Sequence, residues 1–287
     1  MLWVILAFTT AFSLATADAL SKKAMTKSNE YVIAWVREGY ALPFIALAFI
    51  FIPIPHLDKQ FWISTIVLLP LEIIAIILYV KAVNISPLSL TIPFMALSPA
   101  FVIVISYILL GELPDKSGFI GILLIVLGAY LLNANGNSKG KGLLFPLKAI
   151  VKEKGSVFMI IVSLIYSITS TIGKIAVQHS SPVFFGFFYP FLLTIILSVI
   201  LGIRGCFQQI VSRPRMFLII GFVTSIMIVS HFMAISMADV AYVISIKRTN
   251  LIFSIVYGTI IFKEVNIRER MLGSMVMLAG VVSITLF

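Results

Sequence analysis

Charge is what this 287-residue chain has least of: Asp, Glu, Lys and Arg make up 11% of it, against about 25% in an average soluble domain. It has one cysteine, Cys206, which cannot close an internal bridge, so a disulfide-stapled secreted domain is excluded. An Asp-Asp-x-x-Asp metal motif, a Gly-x-Ser-x-Gly elbow, a His-Glu-x-x-His pair and a Walker A loop are all absent. Intramembrane prenyl transfer, proteolysis and ATP-driven pumping therefore have no visible residues, and no enzymatic activity, cofactor or metal site is expected. What is present is apolar surface: 61% of residues are hydrophobic and the mean hydropathy is +1.13. These values describe an integral membrane protein. The net charge of +10 would suggest nucleic acid in a polar chain; here it reads as cations retained on one side of a bilayer.

A hydrocarbon core takes roughly 20 apolar residues per helical crossing. Ten runs qualify, at about 2–20, 30–52, 61–82, 86–110, 117–133, 156–178, 182–203, 214–236, 239–262 and 269–286. Lipid offers no partner to an unpaired backbone group, so the runs predict ten transmembrane helices and an all-α polytopic fold. The opening run ends Ala15-Thr16-Ala17, faintly like a cleavable signal peptide. It lacks a basic n-region and belongs to the repeat described next, so it is expected to stay in the mature protein.

The polar stretch between the fifth and sixth runs divides the chain into residues 1–133, a connection at 134–155, and residues 156–287. Adding 152 to a residue number pairs Lys22 with Lys174, Ala24 with Ala176, Ala82 with Ala234, Phe101 with Phe253, Glu112 with Glu264, Gly121 with Gly273 and Gly128 with Gly280. Matched Lys, Glu and Gly at one ungapped offset indicate an internal duplication. Five crossings is an odd number, so the second half enters the membrane inverted, the architecture of secondary transporters.

The ends Leu110-Gly111-Glu112-Leu113 with Gly121 and Gly128, and Phe262-Lys263-Glu264-Val265 with Gly273 and Gly280, resemble the repeat ending of the drug/metabolite transporter superfamily, in its branch of two EamA-type five-helix repeats. The resemblance spans both halves and implies a transporter of small organic molecules. The glycines are expected to let the fifth helix of each half approach a neighbour closely, and Glu112 and Glu264 to act as interfacial polar anchors.

Ionisable groups at membrane depth mark function by default, because their desolvation is expensive. Ser245-Ile246-Lys247-Arg248-Thr249-Asn250 lies near the middle of a run about 36 Å long, too deep for either cation to snorkel. Lys247 and Arg248, with Ser245 and Asn250, suit a phosphate or carboxylate; the alternative is an internal salt bridge to Glu72, Glu38 or Asp18. The Lys247-Arg248 pair resembles the basic pair of triose-phosphate translocators, a branch of the same superfamily, and Ser21-Lys22-Lys23 resembles that branch's Asn-Lys-Lys, which implies substrate binding by Lys22. Met95 stands at the position symmetric to Lys247, where that branch carries a second lysine.

Pro93 and Pro99 in the fourth run, the mate of the ninth, predict a kinked helix facing the same central cavity and are candidate gating points. Glu72 and the Arg37-Glu38 pair are candidates either for proton coupling or for structural charge pairing, with Arg37 expected to pair with Glu38 or Glu72. His231 is a candidate for coupling or for packing. Its mate Tyr79, together with Tyr242, is a candidate for lining the cavity.

The expected function is secondary active transport of a small metabolite by alternating access, coupled to protons or to a counter-substrate. An amino-acid or amphipathic-drug exporter, a lipid-linked-sugar flippase and a nonenzymatic assembly protein are the competing readings. Fifteen of the 21 cations fall on the side of the 133–155 connection and three on the other, which predicts that connection in the cytoplasm and both termini outside. Many relatives in the superfamily imply the opposite orientation. The expected setting is the lipid bilayer of a prokaryotic plasma membrane, with no nucleic-acid partner.

Overall fold

The computed structural model describes residues 2–49, 54–98, 100, 101, 116–132, 145–237, 243 and 246–286. Every regular element among them is helical: α1 (Leu2–Met25), α2 (Glu30–Gly39), α3 (Leu42–Phe49), α4 (Lys59–Ile85), α5 (Leu88–Thr91), a 3₁₀ turn (Ile92–Ala96), α6 (Lys116–Leu132), α7 (Phe145–Lys152), α8 (Lys154–Gln178), α9 (Pro182–Ile203), a 3₁₀ turn (Phe207–Val211), α10 (Pro214–Met237), α11 (Asn250–Ile260) and α12 (Ile267–Leu286). Five of these, α1, α4, α8, α9 and α10, are long and apolar enough to cross a membrane.

Polar side chains at the interfaces start the spans. Asn29 accepts the Tyr31 N–H at 2.9 Å, Asp58 accepts the Phe61 N–H at 2.9 Å, and Ser181, ahead of Pro182, accepts the Phe184 N–H at 3.1 Å. Each supplies a partner to an N–H that the helix itself leaves free.

Two expected runs are not single helices. The second breaks between α2 and α3, where Pro43 has no N–H to offer the Gly39 carbonyl. The fourth breaks into α5 and the 3₁₀ turn around Pro93, which is buried. Pro99 lies outside the described residues; just before it the Ser98 hydroxyl donates to the Met95 carbonyl at 2.8 Å.

The ninth run breaks too: Arg248 and Thr249 form a turn between a helical Ile246-Lys247 step and α11, held by i to i+3 bonds such as Thr249 N–H to the Ile246 carbonyl at 2.9 Å. With the offset of 152, the turn at 92–96 corresponds to 244–248. The described turn at 248–249 falls on 96–97, so the interruption of the ninth run adjoins the position matching the end of the turn in the fourth.

The packing follows the duplication. α1 lies along α10, and α4 lies along α8; the offset exchanges these two pairs. α6 packs on α12, backbone against backbone. A Cβ built on Gly273 would stand 2.7 Å from the Gly128 carbonyl oxygen, and one on Gly280 would stand 2.6 Å from that of Gly121. The fifth helix of each half therefore finds its close neighbour in the fifth helix of the other.

Candidate functional site

The two broken helices, together with α1, α2, α4, α8, α9 and α10, enclose a central cavity of about 320 Å³. Arg37, Glu38, Glu72, Tyr79, His231, Lys247, Arg248 and Asn250 all line it, as does Met95. Apolar walls come from Leu14, Phe185, Leu193 and Phe232, among others. Eight of the residues that the sequence singled out are thus brought to one space from four different runs. Ser245 and Tyr242 lie outside the described residues, as does Glu112.

One corner of the cavity is a closed triad. Asp18 of α1 is completely buried; its Oδ1 accepts from Arg37 Nη1 at 2.6 Å and its Oδ2 accepts from the Tyr79 hydroxyl at 2.6 Å. The guanidinium of Arg37 also stacks over the Tyr79 ring, 5.4 Å from its centre. The expected pairing of Arg37 with Glu38 or Glu72 is therefore corrected: its ion-pair partner is Asp18. Glu38 is adjacent in sequence, but consecutive residues of a helix project about 100° apart, so a neighbour is poorly placed to pair.

The offset carries Asp18, Arg37 and Tyr79 onto Ser170, Tyr189 and His231, and all three line the same cavity. Of these, the Ser170 hydroxyl donates to the Ser167 carbonyl at 3.0 Å, but the other two are not consumed internally. Among the described residues the Tyr189 hydroxyl and His231 Nδ1 are buried without a hydrogen-bond partner, as are Arg248 Nε and both amide atoms of Asn250. Arg248 Nη2 donates to the Ser98 hydroxyl at 3.2 Å. Among the described residues neither Lys247 nor Arg248 belongs to an ion pair, nor does Glu38 or Glu72. Among the described residues the cavity thus presents two cations and two carboxyls outside any ion pair, Glu72 being hydrogen-bonded by Thr169, and a set of unused donors and acceptors. Buried polar atoms left unpaired are costly, and such a set is a site for a polar ligand. Ser170 and Tyr189 were not singled out from the sequence, although the offset applied to Asp18 and Arg37 points to both.

Lys22, expected at the substrate, is not among the residues lining the cavity. Its ammonium donates to the Val83 carbonyl at 2.7 Å and to that of Ser86, oxygens that the end of α4 leaves free, and it sits 5.6 Å from the centre of the Phe262 ring. It belongs to a polar network at the central-connection end of the molecule. There the Glu264 carboxylate accepts the Leu88 N–H at 2.7 Å, the Ser89 N–H at 3.0 Å and the Ser89 hydroxyl, capping α5 at the start of the broken fourth run. Arg270 donates to Ser89 Oγ at 2.5 Å and to Glu264 at 3.3 Å. Glu153 takes the Ser86 hydroxyl and the Ser156 N–H at 2.6 Å. Gly258 gives the Glu264 carboxylate its room, since a Cβ there would stand 2.6 Å from Oε2. The offset puts Gly118 opposite Arg270 and Met1 opposite Glu153, so the sequence repeats neither the arginine nor the second acid in the other half.

A sequence model of the EamA-like transporter family matches residues 1–134 and again residues 153–286. No curated protein matches the chain. One solved crystal structure superposes with a TM-score of 0.65 at 13% sequence identity, over 99% of this chain and 96% of that one; the likeness is one of fold.

Proposed function

Because this chain belongs to the EamA-like transporter family, whose members are multi-pass membrane transporters of the drug/metabolite superfamily and not enzymes, we propose that it carries a small organic metabolite bearing a carboxylate or phosphate by alternating access, as a secondary active transporter. The observation that carries this reading is the pair Lys247 and Arg248, unpaired among the described residues, at a helix interruption facing the central cavity. Broken helices at matching points of inverted repeats are where transporter substrates bind. A guanidinium fork beside an ammonium suits a carboxylate or phosphate oxygen pair. The network of Lys22, Glu153, Ser89, Glu264 and Arg270 is the lock of the central-connection end. Its release accompanies opening to that side.

The test is a thermal-shift screen of purified protein and its Lys247→Ala variant against phosphorylated metabolites, carboxylates, amino acids and organic cations. A ligand at a hundredfold excess over its Kd stabilises the protein by about 2.7 kcal/mol. The expected result is a carboxylate or phosphate that stabilises the wild type and not the variant. Stabilisation by organic cations, undiminished in Lys247→Ala, would overturn the reading.

Glu38 and Glu72 favour a second reading, in which an ammonium group rests on the carboxyls while an acid group rests on the cations, as in an amino acid. Replacing an amino-acid ligand by its methyl ester and by its N-acetyl form separates the two. Loss with the ester alone supports the anion reading, and loss with both supports the zwitterion.

A further inference from the structure

A second concavity lies away from the central cavity, between the end of α1 and the start of α10. It is lined by Lys23, Thr26, Lys27, Arg213, Pro214, Arg215 and Met216, with a volume of about 610 Å³. Four of its seven lining residues are cationic and none is acidic, and among the described residues none of the four joins an ion pair. Retention of cations on one side of a membrane requires only that they occupy the loops. It does not require residues 23–27 and residues 213–215 to converge on one hollow.

The depth of the hollow identifies its occupant. α1 ends at Met25 and α10 begins at Pro214, so the cations ring the level at which the spans leave the hydrocarbon and meet headgroups. Further along α10, Leu218, Ile219 and Phe222 are about half exposed, an apolar surface that hydrocarbon would cover in a membrane. A charged pocket continuous with an apolar outer wall matches a molecule that is anionic at one end and hydrocarbon at the other. The start of α10, a 24-residue helix, adds its positive end to the same place. We propose that this hollow is a binding site for the phosphate headgroup of an acidic phospholipid, held by Lys23, Lys27, Arg213 and Arg215 with its acyl chains along α10. Basic pockets between membrane helices bind such headgroups by the same chemistry.

The test uses the full chain in a neutral detergent, with native mass spectrometry and thermal stability as readouts. The probes are phosphatidylglycerol, phosphatidylcholine with the same acyl chains, and inorganic phosphate. Phosphatidylglycerol is expected to bind and stabilise, and the other two are not. In the triple variant K27Q/R213Q/R215Q its affinity should fall about fivefold per cation removed, roughly a hundredfold in all. A control variant, K152Q/K263Q/R268Q, removes the same charge from residues outside the hollow and should bind as the wild type does. In the wild type, raising salt should abolish the phosphatidylglycerol effect, a readout that needs no variant to fold. Equal binding of phosphatidylcholine, equal stabilisation by free phosphate, or equal loss in the control variant would each overturn the proposal.

Discussion

Asp18→Asn is expected to be among the most damaging conservative substitutions in the first repeat. The wild-type carboxylate is fully buried and serves two donors at 2.6 Å each, Arg37 and Tyr79. Asparagine keeps an oxygen for the Tyr79 hydroxyl but leaves the Arg37 guanidinium, 8% exposed, without a counter-ion. Breaking a buried pair from one side costs about 3–5 kcal/mol, which at 2–4 °C per kcal/mol lowers the unfolding temperature by on the order of 10 °C. The reverse removal, Arg37→Met, should cost less, roughly 1–3 kcal/mol. A stranded carboxylate can take up a proton, whereas a guanidinium cannot shed one. The double variant should sit no lower than Asp18→Asn alone, because it strands nothing. Thermal unfolding of the four proteins in detergent, followed by fluorescence-detected size exclusion, measures the cycle. Additive losses, within about 0.5 kcal/mol, or an Arg37→Met variant worse than Asp18→Asn, would refute the reasoning.

Gly273→Ala puts a methyl 2.7 Å from the Gly128 carbonyl oxygen and 2.8 Å from the Leu132 nitrogen, both backbone, and should cost about 1–3 kcal/mol by overpacking; Gly202→Ala, which meets nothing within 4 Å, should be neutral or stabilising when unfolding temperatures are compared. Arg270→Gln weakens the network at the central-connection end, so a cysteine placed at Met95 in a Cys206→Ser background should be labelled faster by an impermeant thiol reagent from that side; unchanged labelling would mean that the network is not a lock. The Asp58 carboxyl is held below its ordinary 3.8, first by the Phe61 N–H and also by the hydrogen bond with His179. A carboxylate depressed in this way contributes stability above its ordinary value and loses it as pH falls through the lower folded one, so wild type should lose unfolding temperature more steeply than Asp58→Asn below about pH 4.

The parts of the molecule written in spacing could be read from the sequence, and those that depend on which helices touch could not. Apolar run lengths marked the crossings, one ungapped offset marked the duplication, and Pro93 and Pro99 marked the kink of the fourth run; the break of the ninth, which has no proline, was not legible. Lys247 and Arg248 stood out because at that depth a cation needs either a cavity or an internal partner. Asp18 did not stand out as the partner of Arg37, because that choice is made where α1, α2 and α4 meet. Lys22 looked like a ligand-binding cation because its motif does; its actual partners are the carbonyls at the end of α4, and a free carbonyl carries no signature in the sequence. Glu264 was legible as a polar anchor, but not as the cap of a helix in the opposite repeat.

The glycine crossing of α6 and α12 bears on how such a chain can change over generations. Gly128 meets Gly273 and Gly121 meets Gly280, and exchanging the halves turns one contact into the other. This is the self-complementary geometry of two identical subunits facing each other, preserved inside a single polypeptide. A bulkier residue on one helix must be answered on the opposite one at the same crossing, so the two halves remain bound to a joint history there. Away from it they are at liberty to part, as Arg270 and Gly118 have done, and a duplicated scaffold acquires two unlike ends.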